Sequence, residues 1–321
     1  MSQTVAQLTV EFLIANGIRN LYCVPGVQND PFFNAIFDRT GILKPIQARH
    51  EQGAVYMALG AALATGKPQA FSLVPGPGFL NGCAALCTAY ALNAPLFGVI
   101  GQIQSDAIGK EFGLLHEIEG QLETLKSLTK HADRVVSGTK ANAQFRDAWL
   151  ALHNGRPRPV AVEVPVNIWR SETGVDKENL KVTPLKPSAI APDLISEAAD
   201  LISNAERPLI AVGSGAQDHS DDVRFLAKSI DAGVMAFRTG HGVMDSRDPL
   251  AITMPVGHAL WAECDLVIGL GTRLTTQKLE WGVDENLKIL HIDLDADVLA
   301  RICAPMVGIN ANLGDALPQI Q

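Results

Sequence analysis

The sequence predicts an α/β protein with two doubly wound parallel-sheet domains and helices on both faces of each sheet. Continuously apolar runs, which suit strands buried on both faces, alternate with helical patterns along the whole chain. The length of 321 residues suits two cores, since one domain usually takes roughly 150 residues. Near the middle, proline and charge replace the apolar periodicity. We therefore expect a first domain over 1–172, a linker over 173–190 and a second domain over 191–321.

The elements of the first domain are justified by their turn and cap residues. Thr4–Ala15 is predicted as a helix, which Asn16-Gly17 ends as a C-cap. The apolar run NLYC that follows is predicted as a strand, and Pro25-Gly26 stops it. Pro31 suits the first turn of a short helix, DPFFNAIFD. ILKPIQARH is then predicted as a strand and 51–65 as a helix.

The same alternation completes the first domain. In order, its remaining predicted elements are the strand QAFSLV, the helix PGFLNGCAALCTAYAL, the strands PLFGVIG and HADRVV, the helix ANAQFRDAWLALHNG and the strand PVAVEVP. Parallel sheets of this kind bind ligands at the carboxyl ends of their strands. A site is therefore expected in the segments that follow strands, which are VPGVQND, ARHEQG, VPGPGFLN and GQIQSD.

A second alternating set follows the linker. In order, it comprises the helix APDLISEAADLIS, the strand PLIAVGSG, the helix DDVRFLAKSI, the strand GVMAF, the helix VGHALWAE, the strands CDLVIGLGTR and LKILHIDLD and the helix ALPQI. Two glycine pairs, Gly213-Ser214-Gly215 and Gly269-Leu270-Gly271, follow strands here. They suit either a dinucleotide site or structural turns, and structural turns are favoured because the G-x-G-x-x-G fingerprint is absent.

Composition narrows the class of function. A net charge of −8 gives no reason to expect nucleic acid or an anionic membrane as partner. The N-terminal helix lacks the basic start and cleavage site of a signal peptide, and no apolar run is long enough to span a bilayer, so a cytoplasmic protein is expected. The five cysteines are scattered, which favours buried structural thiols over a disulfide framework or a metal site.

Two of the loops carry groups suited to chemistry. Glu51 stands where a predicted strand ends and a helix begins, a position that favours an acid by the helix dipole alone. The helix after it is rich in Gly and Ala, so a backbone or a flat ligand can approach closely and leave the carboxylate poorly hydrated. Gly76 and Gly78 in the Pro-Gly-Pro-Gly turn permit either a tight turn or the same close approach. His116-Glu117 lies in an irregular region that suits a surface loop or a mobile active-site flap.

Taken in order, these loops are specific. VPG is followed by RHEQGA with its small-residue helix, a GPG turn with Asn81, IGQI, SLTKHADRV and GRPRPVAVEVP. The combination resembles the acetolactate synthase-like family of thiamine diphosphate-dependent enzymes. The resemblance is close over about 1–170 and looser over about 190–321, through PLIAVGSG, DLVIGLGTR and KILHIDLD. It implies a pyrimidine-binding domain followed by a central domain.

The resemblance also implies the roles of residues. Glu51 matches the glutamate that hydrogen-bonds N1′ of the aminopyrimidine, so that the 4′ nitrogen can take the C2 proton of the thiazolium. The implied cofactor-binding residues are Pro25, Gly26, Glu51, Gly76, Pro77, Asn81 and Gln102. Among them, Gln102 matches the glutamine of a TGQ-type loop on the substrate side.

Within the first domain, the sequence departs from the family pattern in three places. Val27 replaces the second glycine after Pro-Gly, and Pro75 replaces the serine before GPG. The segment from Gly109 to the TKH motif is a few residues longer than in acetolactate synthases. The side chains expected to shape a substrate pocket there are Phe112, Leu115 and His116.

The largest departure concerns the diphosphate. The family holds diphosphate and Mg²⁺ on a third domain marked by G-D-G, and the nearest string here is Leu313-Gly314-Asp315. No metal ligands are therefore assigned to this chain, and the Mg²⁺ ligands are expected on a domain outside it. Such a domain would belong either to a longer polypeptide or to a partner subunit of a split enzyme.

The resemblance thus predicts part of a thiamine diphosphate-dependent carboligase or decarboxylase acting on a 2-oxo acid. A homodimer or homotetramer is expected, or a heteromer with a diphosphate-binding subunit. One alternative is a non-catalytic or split subunit that needs a partner chain, and a less favoured one is a nicotinamide-dependent oxidoreductase. Some family members carry a structural FAD against the central domain. Gly213, Gly215 and Arg273 suit that role, although FAD is not the favoured prediction.

Overall fold

The structure is a computed structural model that describes residues 3–174, 180–185 and 188–320. The chain forms two compact units, 1–185 and 186–321. Neither unit shows, among its described helices, one that is long and apolar enough to cross a membrane.

The first unit alternates strands and helices. Its helices are α1 Val5–Ala15, α2 Asp30–Phe37, α3 Glu51–Thr65, α4 Pro77–Ala91, α5 Gln121–Leu128 and α6 Gly138–His153. Its strands are β1 Asn20–Cys23, β2 Lys44–Gln47, β3 Gln69–Leu73, β4 Leu96–Gln102, β5 His131–Arg134 and β6 Val160–Pro165.

The strands of the first unit form one parallel sheet. Their order is β2-β1-β3-β4-β6-β5, and every described pairing is parallel. The chain moves outward in one direction from β1 and in the other from β3, so the order reverses between these two strands. A crevice for ligands is expected at such a reversal, outside the carboxyl ends of the strands.

Alternate residues of each strand pack on opposite faces of this sheet. Leu21 of β1 joins the core beneath α1, α2 and α6, whereas its neighbour Tyr22 joins the core beneath α3, α4 and α5. The first of these cores is rich in aromatic rings, and Phe12 lies 5.6 Å from Phe145 between ring centroids. Because both faces are covered by apolar side chains, the strands are continuously apolar in sequence.

The second unit repeats this architecture. Its helices are α7 Pro192–Ser203, α8 Ser220–Ser229, α9 Met254–Trp261, α10 Ala296–Ala300 and α11 Leu313–Ile320. Its strands are β7 Pro208–Val212, β8 Gly233–Ala236, β9 Ala251–Ile252, β10 Leu266–Leu270, β11 Lys288–Ile292 and β12 Val307–Ile309. They form a second parallel sheet in the order β12-β11-β10-β7-β8-β9. The predicted fold class, two parallel-sheet α/β domains, is confirmed.

Four short elements were not predicted. β9 and β12 have two and three residues, too few to show an alternating pattern, and α10 has five. α5 begins where the region expected to be irregular ends, and only Leu122, Leu125 and Leu128 mark its apolar face. Short elements of this kind are stabilised by packing against the sheet more than by their own sequence.

Part of the predicted linker packs with the first unit. Leu180 and Val182 are buried in the core that contains α1. Asn16 at the end of α1 donates from Nδ2 to the Leu180 carbonyl (2.9 Å) and accepts from the Val182 N–H (2.8 Å). Residues 180–185 therefore belong to the first unit, while 175–179 and 186–187 of the predicted linker lie outside the described residues.

Candidate functional site

Two Pro-Gly turns border the place where the crevice is expected, outside the carboxyl ends of β1 and β3. Pro25-Gly26 follows β1, and Pro75-Gly76 follows β3. Gly26 has an extended φ of −173°, so its backbone conformation suits any residue. A Cβ at this position would lie 2.5 Å from Val74 Cγ1, which is too close for a real contact. Glycine is therefore required at 26 because the two turns pack against each other.

The second turn needs glycine for two reasons. Gly76 has φ +58° and ψ −122°, a conformation that side chains with a Cβ rarely adopt. A Cβ on Gly76 would also lie 2.5 Å from the backbone oxygen of His116. Pro77 then opens α4, because proline suits the first position of a helix. The turn thus brings the start of α4 and residue 116 together.

Glu51 and Asn81 meet at the starts of α3 and α4. His50 caps α3, accepting at Nδ1 from the Gln52 N–H at 3.2 Å, so Glu51 becomes its first residue. Asn81 Nδ2 donates to Glu51 Oε2 at 3.0 Å. The other carboxyl oxygen, Oε1, lies 3.5 Å from where a Cβ on Gly78 would stand. The glycine thus leaves one face of the carboxylate uncovered by a side chain.

The small residues of α3 fall on two sides of the helix. Ala54, Ala58 and Ala62 are buried in the core beneath α3, α4 and α5. A Cβ on Gly53 or Gly60 would meet nothing within 4 Å. Glu51 is accordingly only partly buried. The expected poor hydration of its carboxylate is therefore not present within this chain, because the face of α3 beside it is open.

This open face is a continuous apolar surface formed by α3 and α4, here called the α3/α4 face. Its large exposed side chains are Tyr56, Met57, Leu63 and Leu80. Neither 52–66 nor 68–105 contains a charged residue. The two helices are tied together near its centre, where Tyr56 Oη and Thr88 Oγ1 lie 3.2 Å apart. Exposed apolar patches of this kind usually mark sites of association.

The irregular segment between β4 and α5 reaches the second turn through His116. Gln28 Nε2 donates to the Leu115 carbonyl at 3.3 Å. Gln28 Oε1 lies 3.1 Å from His116 Nδ1, and because this oxygen can only accept, Nδ1 carries the proton. The side chains of Phe112 and Leu115 are 65 % and 69 % exposed. Of the three predicted pocket residues, the structure thus places His116 against the Gly76 turn and leaves the other two side chains in solvent.

Gln102 ends β4 beside the crevice but points into its own strand end. It is buried, and its Oε1 accepts from the Ile103 N–H at 2.7 Å. The hydrogen bonds of the described residues connect it to Ile103 and not to Glu51 or Asn81. The structure therefore brings Glu51, Asn81 and the Gly76 turn together and keeps Gln102 on the neighbouring strand.

Four polar residues near the crevice were not singled out from the sequence: Gln28, Asn29, Gln121 and Glu163. Asn29 is fully buried and donates from Nδ2 to the Leu73 carbonyl at 2.9 Å, which links the first turn to β3. Its neighbour Gln28 holds the segment around residue 116. The signal for both was their place in VPGVQND, directly after a strand. For Glu163 the signal was a lone acid inside the apolar strand VAVEVP.

The glycine pairs of the second unit pack against each other. Gly215 N–H donates to the Gly271 carbonyl at 3.1 Å, and a Cβ on Gly215 would lie 2.8 Å from Gly271 Cα. Gly213 N–H donates to the Leu270 carbonyl at 3.2 Å. Close backbone contact between the ends of β7 and β10 therefore accounts for Gly213, Gly215 and Gly271, whereas Gly269 lies against the side chains of Leu274 and His291. Arg273 is exposed.

The His, Cys, Asp and Glu side chains of the described residues bear on possible metal and thiol sites. No group of three or more His, Cys, Asp or Glu side chains that could hold a metal ion occurs among the described residues. Burial raises the pKa of the thiols of Cys23, Cys83 and Cys264 to about 11. The prediction of buried thiols holds for Cys23, whereas Cys83, Cys264 and Cys303 are half-buried and Cys87 is exposed on α4.

Comparisons with known proteins agree with this architecture. The chain is 29 % identical over 327 residues to the acetolactate synthase isozyme 1 large subunit of Escherichia coli (strain K12), covering 99 % of this chain and 57 % of that protein. It is 30 % identical to a probable acetolactate synthase large subunit of Methanocaldococcus jannaschii, covering 96 % and 54 %. It is 27 % identical to the probable 2-ketoarginine decarboxylase AruI of Pseudomonas aeruginosa, covering 91 % and 53 %. The chain thus spans little more than half the length of these relatives.

A solved structure shares the fold of this chain, and two family models match its sequence. A thiamine diphosphate-dependent 4-hydroxybenzoylformate decarboxylase of Rhodococcus jostii RHA1 superposes with a TM-score of 0.87 over 99 % of this chain and 62 % of its own, at 21 % identity, which shows a shared fold. The family model of the thiamine pyrophosphate enzyme N-terminal TPP binding domain matches residues 3–127, and that of the thiamine pyrophosphate enzyme central domain matches residues 195–320. The chain therefore belongs to the thiamine pyrophosphate enzyme family and contains its N-terminal and central domains.

Proposed function

We propose that this chain is the pyrimidine-binding and central part of a thiamine diphosphate-dependent carboligase or decarboxylase that acts on a 2-oxo acid. The observation that carries the proposal is the contact of Asn81 Nδ2 with Glu51 Oε2 beside a glycine turn. It orients a partly exposed carboxylate at the carboxyl edge of a parallel sheet, where cofactors bind. Relatives that carry the names acetolactate synthase and decarboxylase support the reaction class.

The residues of the crevice fit the aminopyrimidine end of the cofactor. Asn81 holds Oε2 of Glu51, so Oε1 is the oxygen left to hydrogen-bond N1′ of the ring. Gly78 leaves space beside that oxygen, because it has no Cβ. Pro25, Gly26, Gly76 and Pro77 supply the two tight turns that border the ring. Bound thiamine diphosphate supplies the electron sink for cleavage next to the 2-oxo group.

The 2-oxo acid would bind on the Gln102 side of the cofactor. Gln102 closes β4, one strand away from the Gly76 turn. The backbone of His116 lies against Gly76 of the turn. Phe112 and Leu115, which are exposed in this chain, are available to contact a substrate or a neighbouring domain.

The diphosphate and its Mg²⁺ would be held by a domain outside this sequence. The chain spans 57 % of one relative and 54 % of another, so that these proteins have room for a further domain. The α3/α4 face, which is apolar, uncharged and adjacent to Glu51, is suited to receive it. Such an arrangement predicts a homodimer or homotetramer, or a heteromer if that domain is a separate subunit.

The test is turnover in a completed assembly. The chain is combined with a diphosphate-binding domain, in the same polypeptide or as a partner subunit, together with thiamine diphosphate, Mg²⁺ and a panel of 2-oxo acids. Glu51→Gln is expected to lower turnover roughly 10²–10⁴-fold, the usual contribution of a positioned proton-transfer partner. Glu123→Gln, which changes an exposed acid in the first turn of α5, is the matched control and should leave turnover unchanged.

The outcomes separate the alternatives. Full turnover by Glu51→Gln would contradict the assigned role. A ligated product identifies a carboligase, and an aldehyde with CO₂ identifies a decarboxylase. An assembly in which this chain binds its partner but supports no turnover favours a non-catalytic subunit. Tight NAD binding without response to thiamine diphosphate favours the oxidoreductase, a function that the mutually packed glycine pairs do not support.

A further inference from the structure

Hydrogen bonds from three strand ends converge on the side chain of Gln121. Its Oε1 accepts from the Gly76 N–H at 2.8 Å. Its Nε2 donates to the Gly101 carbonyl at 3.0 Å and to Glu163 Oε2 at 2.9 Å. Gln121 is only 1 % exposed. Because the amide oxygen faces an N–H and the amide nitrogen faces two oxygens, the partners themselves determine its orientation.

Glu163 supports this amide from inside the sheet. It is fully buried on β6, and its Oε1 is paired with Nε of Arg134 on the neighbouring strand β5. A buried carboxylate is costly unless it is paired and hydrogen-bonded. Here each of its two oxygens has a partner, one from Arg134 and one from Gln121. The acid inside an otherwise apolar strand is therefore explained by the group that it holds.

Gly76 is the group at the other end of this chain of hydrogen bonds. Its N–H is fixed by Gln121, and its Cα lies against the backbone of His116. The next residues begin α4, which carries Gly78 and Asn81 to the Glu51 carboxylate. The direction of the Gly76 peptide therefore determines where the start of α4 places Gly78 and Asn81.

We propose that Gln121, held by Glu163, is a positioning residue that fixes the Gly76 turn and the Gly101–Gln102 strand end in a single geometry. The first turn of α4 and the end of β4 would then present the cofactor side and the substrate side of the crevice together. Gln121 itself is buried and acts through Gly76 and Gly101. The identity of the ligand rests on the proposed function, whereas the role of Gln121 in fixing the Gly76 turn does not.

Three variants of nearly equal volume test the direction of these hydrogen bonds. Gln121→Glu sets a second carboxylate against Glu163 and removes the donor, so the turn should loosen. In Glu163→Gln, one of the two groups that donate to Glu163, Arg134 Nε or Gln121 Nε2, faces the new amide nitrogen and not an oxygen. In the double variant, the amide introduced at position 163 can donate to the carboxylate introduced at position 121 and still accept from Arg134, so that only the Gly101 carbonyl loses its partner. Partial rescue in the double variant is therefore expected, and a role in packing alone would not produce it.

The first readout uses this chain by itself. Hydrogen exchange of the Gly76 amide, measured by NMR, should be about tenfold faster or more in Gln121→Leu, which removes the acceptor of this N–H, as loss of a hydrogen bond of roughly 1.4 kcal/mol implies. In Gln121→Glu the carboxylate can still accept, but its repulsion by Glu163 should displace it, so exchange should be faster there as well. The matched control is Gln144→Leu. Gln144 also donates to a carboxylate, Asp133, and to a backbone carbonyl, that of Arg134, but lies on α6. Its loss should leave the Gly76 amide unchanged.

The second readout uses the completed assembly. The thiamine diphosphate concentration that gives half-maximal activity should rise about tenfold in Gln121→Glu, fall back toward the original value in the double variant and stay unchanged in Gln144→Leu. An unchanged Gly76 amide in both Gln121 variants would overturn the proposal, as would a double variant no closer to the original protein than Gln121→Glu. If the original assembly shows no thiamine diphosphate-dependent activity, the proposed function fails, while the Gly76 amide still decides whether Gln121 fixes the turn.

Discussion

At the scale of single residues, replacing glycine by alanine should act in opposite directions at Gly76 and Gly60. Gly76→Ala places a Cβ at φ +58° against the His116 carbonyl and should destabilise the chain by roughly 1–3 kcal/mol or more. Gly60→Ala adds a Cβ to an exposed helix position with nothing within 4 Å, and should stabilise the chain by about 0.5–1 kcal/mol. Urea unfolding of the two variants measures both. Equal effects would contradict the geometry of the Gly76 turn.

The thiols give a second prediction at this scale. The pKa values of Cys23, Cys83 and Cys264 are raised to about 11 by burial, so these groups remain protonated thiols until the pH approaches that value. Cys87 is exposed on α4. A thiol reagent at about pH 8 should therefore modify Cys87 first, and Cys87→Ser should remove the fast phase. A fast phase that survives this substitution would show that another thiol is accessible.

At the scale of elements, α3 and α4 share a face that no described residue of the first unit covers. Leu63→Glu and Leu80→Glu each place a charge on the α3/α4 face, where both leucines are exposed. We expect these variants to lower the mass of the assembly, measured by light scattering, without lowering the unfolding temperature of the isolated chain. The reason is that the new glutamate charge would have to be buried when the assembly forms, which is costly, whereas it remains in water in the isolated chain.

The control for this face is another exposed apolar residue. Phe225→Glu changes a side chain on α8 that is 58 % exposed and lies in the second unit. It should leave the mass of the assembly unchanged. If Phe225→Glu and Leu80→Glu reduce the mass equally, the α3/α4 face has no special part in association.

At the scale of the whole molecule, the two units have separate cores and should fold separately. A fragment over 1–185 keeps Leu180 and Val182 in its core, whereas a fragment over 1–172 loses both. We expect the shorter fragment to be less stable by several kcal/mol, since a fully buried aliphatic side chain contributes about 1.5–3 kcal/mol. Denaturant unfolding of the two fragments makes the comparison, and equal midpoints would show that these residues contribute nothing.

The sequence by itself determined the fold class and the family. Parallel sheets covered on both faces need continuously apolar strands, and that requirement is visible in runs such as PLFGVIG and PVAVEVP without any structure. The ordered loops that follow the strands identified the family, because parallel topology brings the carboxyl ends of strands to one edge. Glu51 was singled out on the same grounds, and its role remains a prediction.

Tertiary structure alone decided which side chains meet. Glu51 and Asn81 are 30 residues apart, and Gln121 reaches Gly76, Gly101 and Glu163 over separations of 20 to 45 residues. Such contacts depend on the order of the strands and on the direction of each helix. Neither can be predicted from the local periodicity of apolar residues. The same holds for the small residues of α3. Their number suggested that a backbone or a flat ligand approaches closely, but only the arrangement of α3 beside α4 showed that Ala54, Ala58 and Ala62 are buried while Gly53 and Gly60 have nothing nearby, because burial depends on the neighbours of a residue.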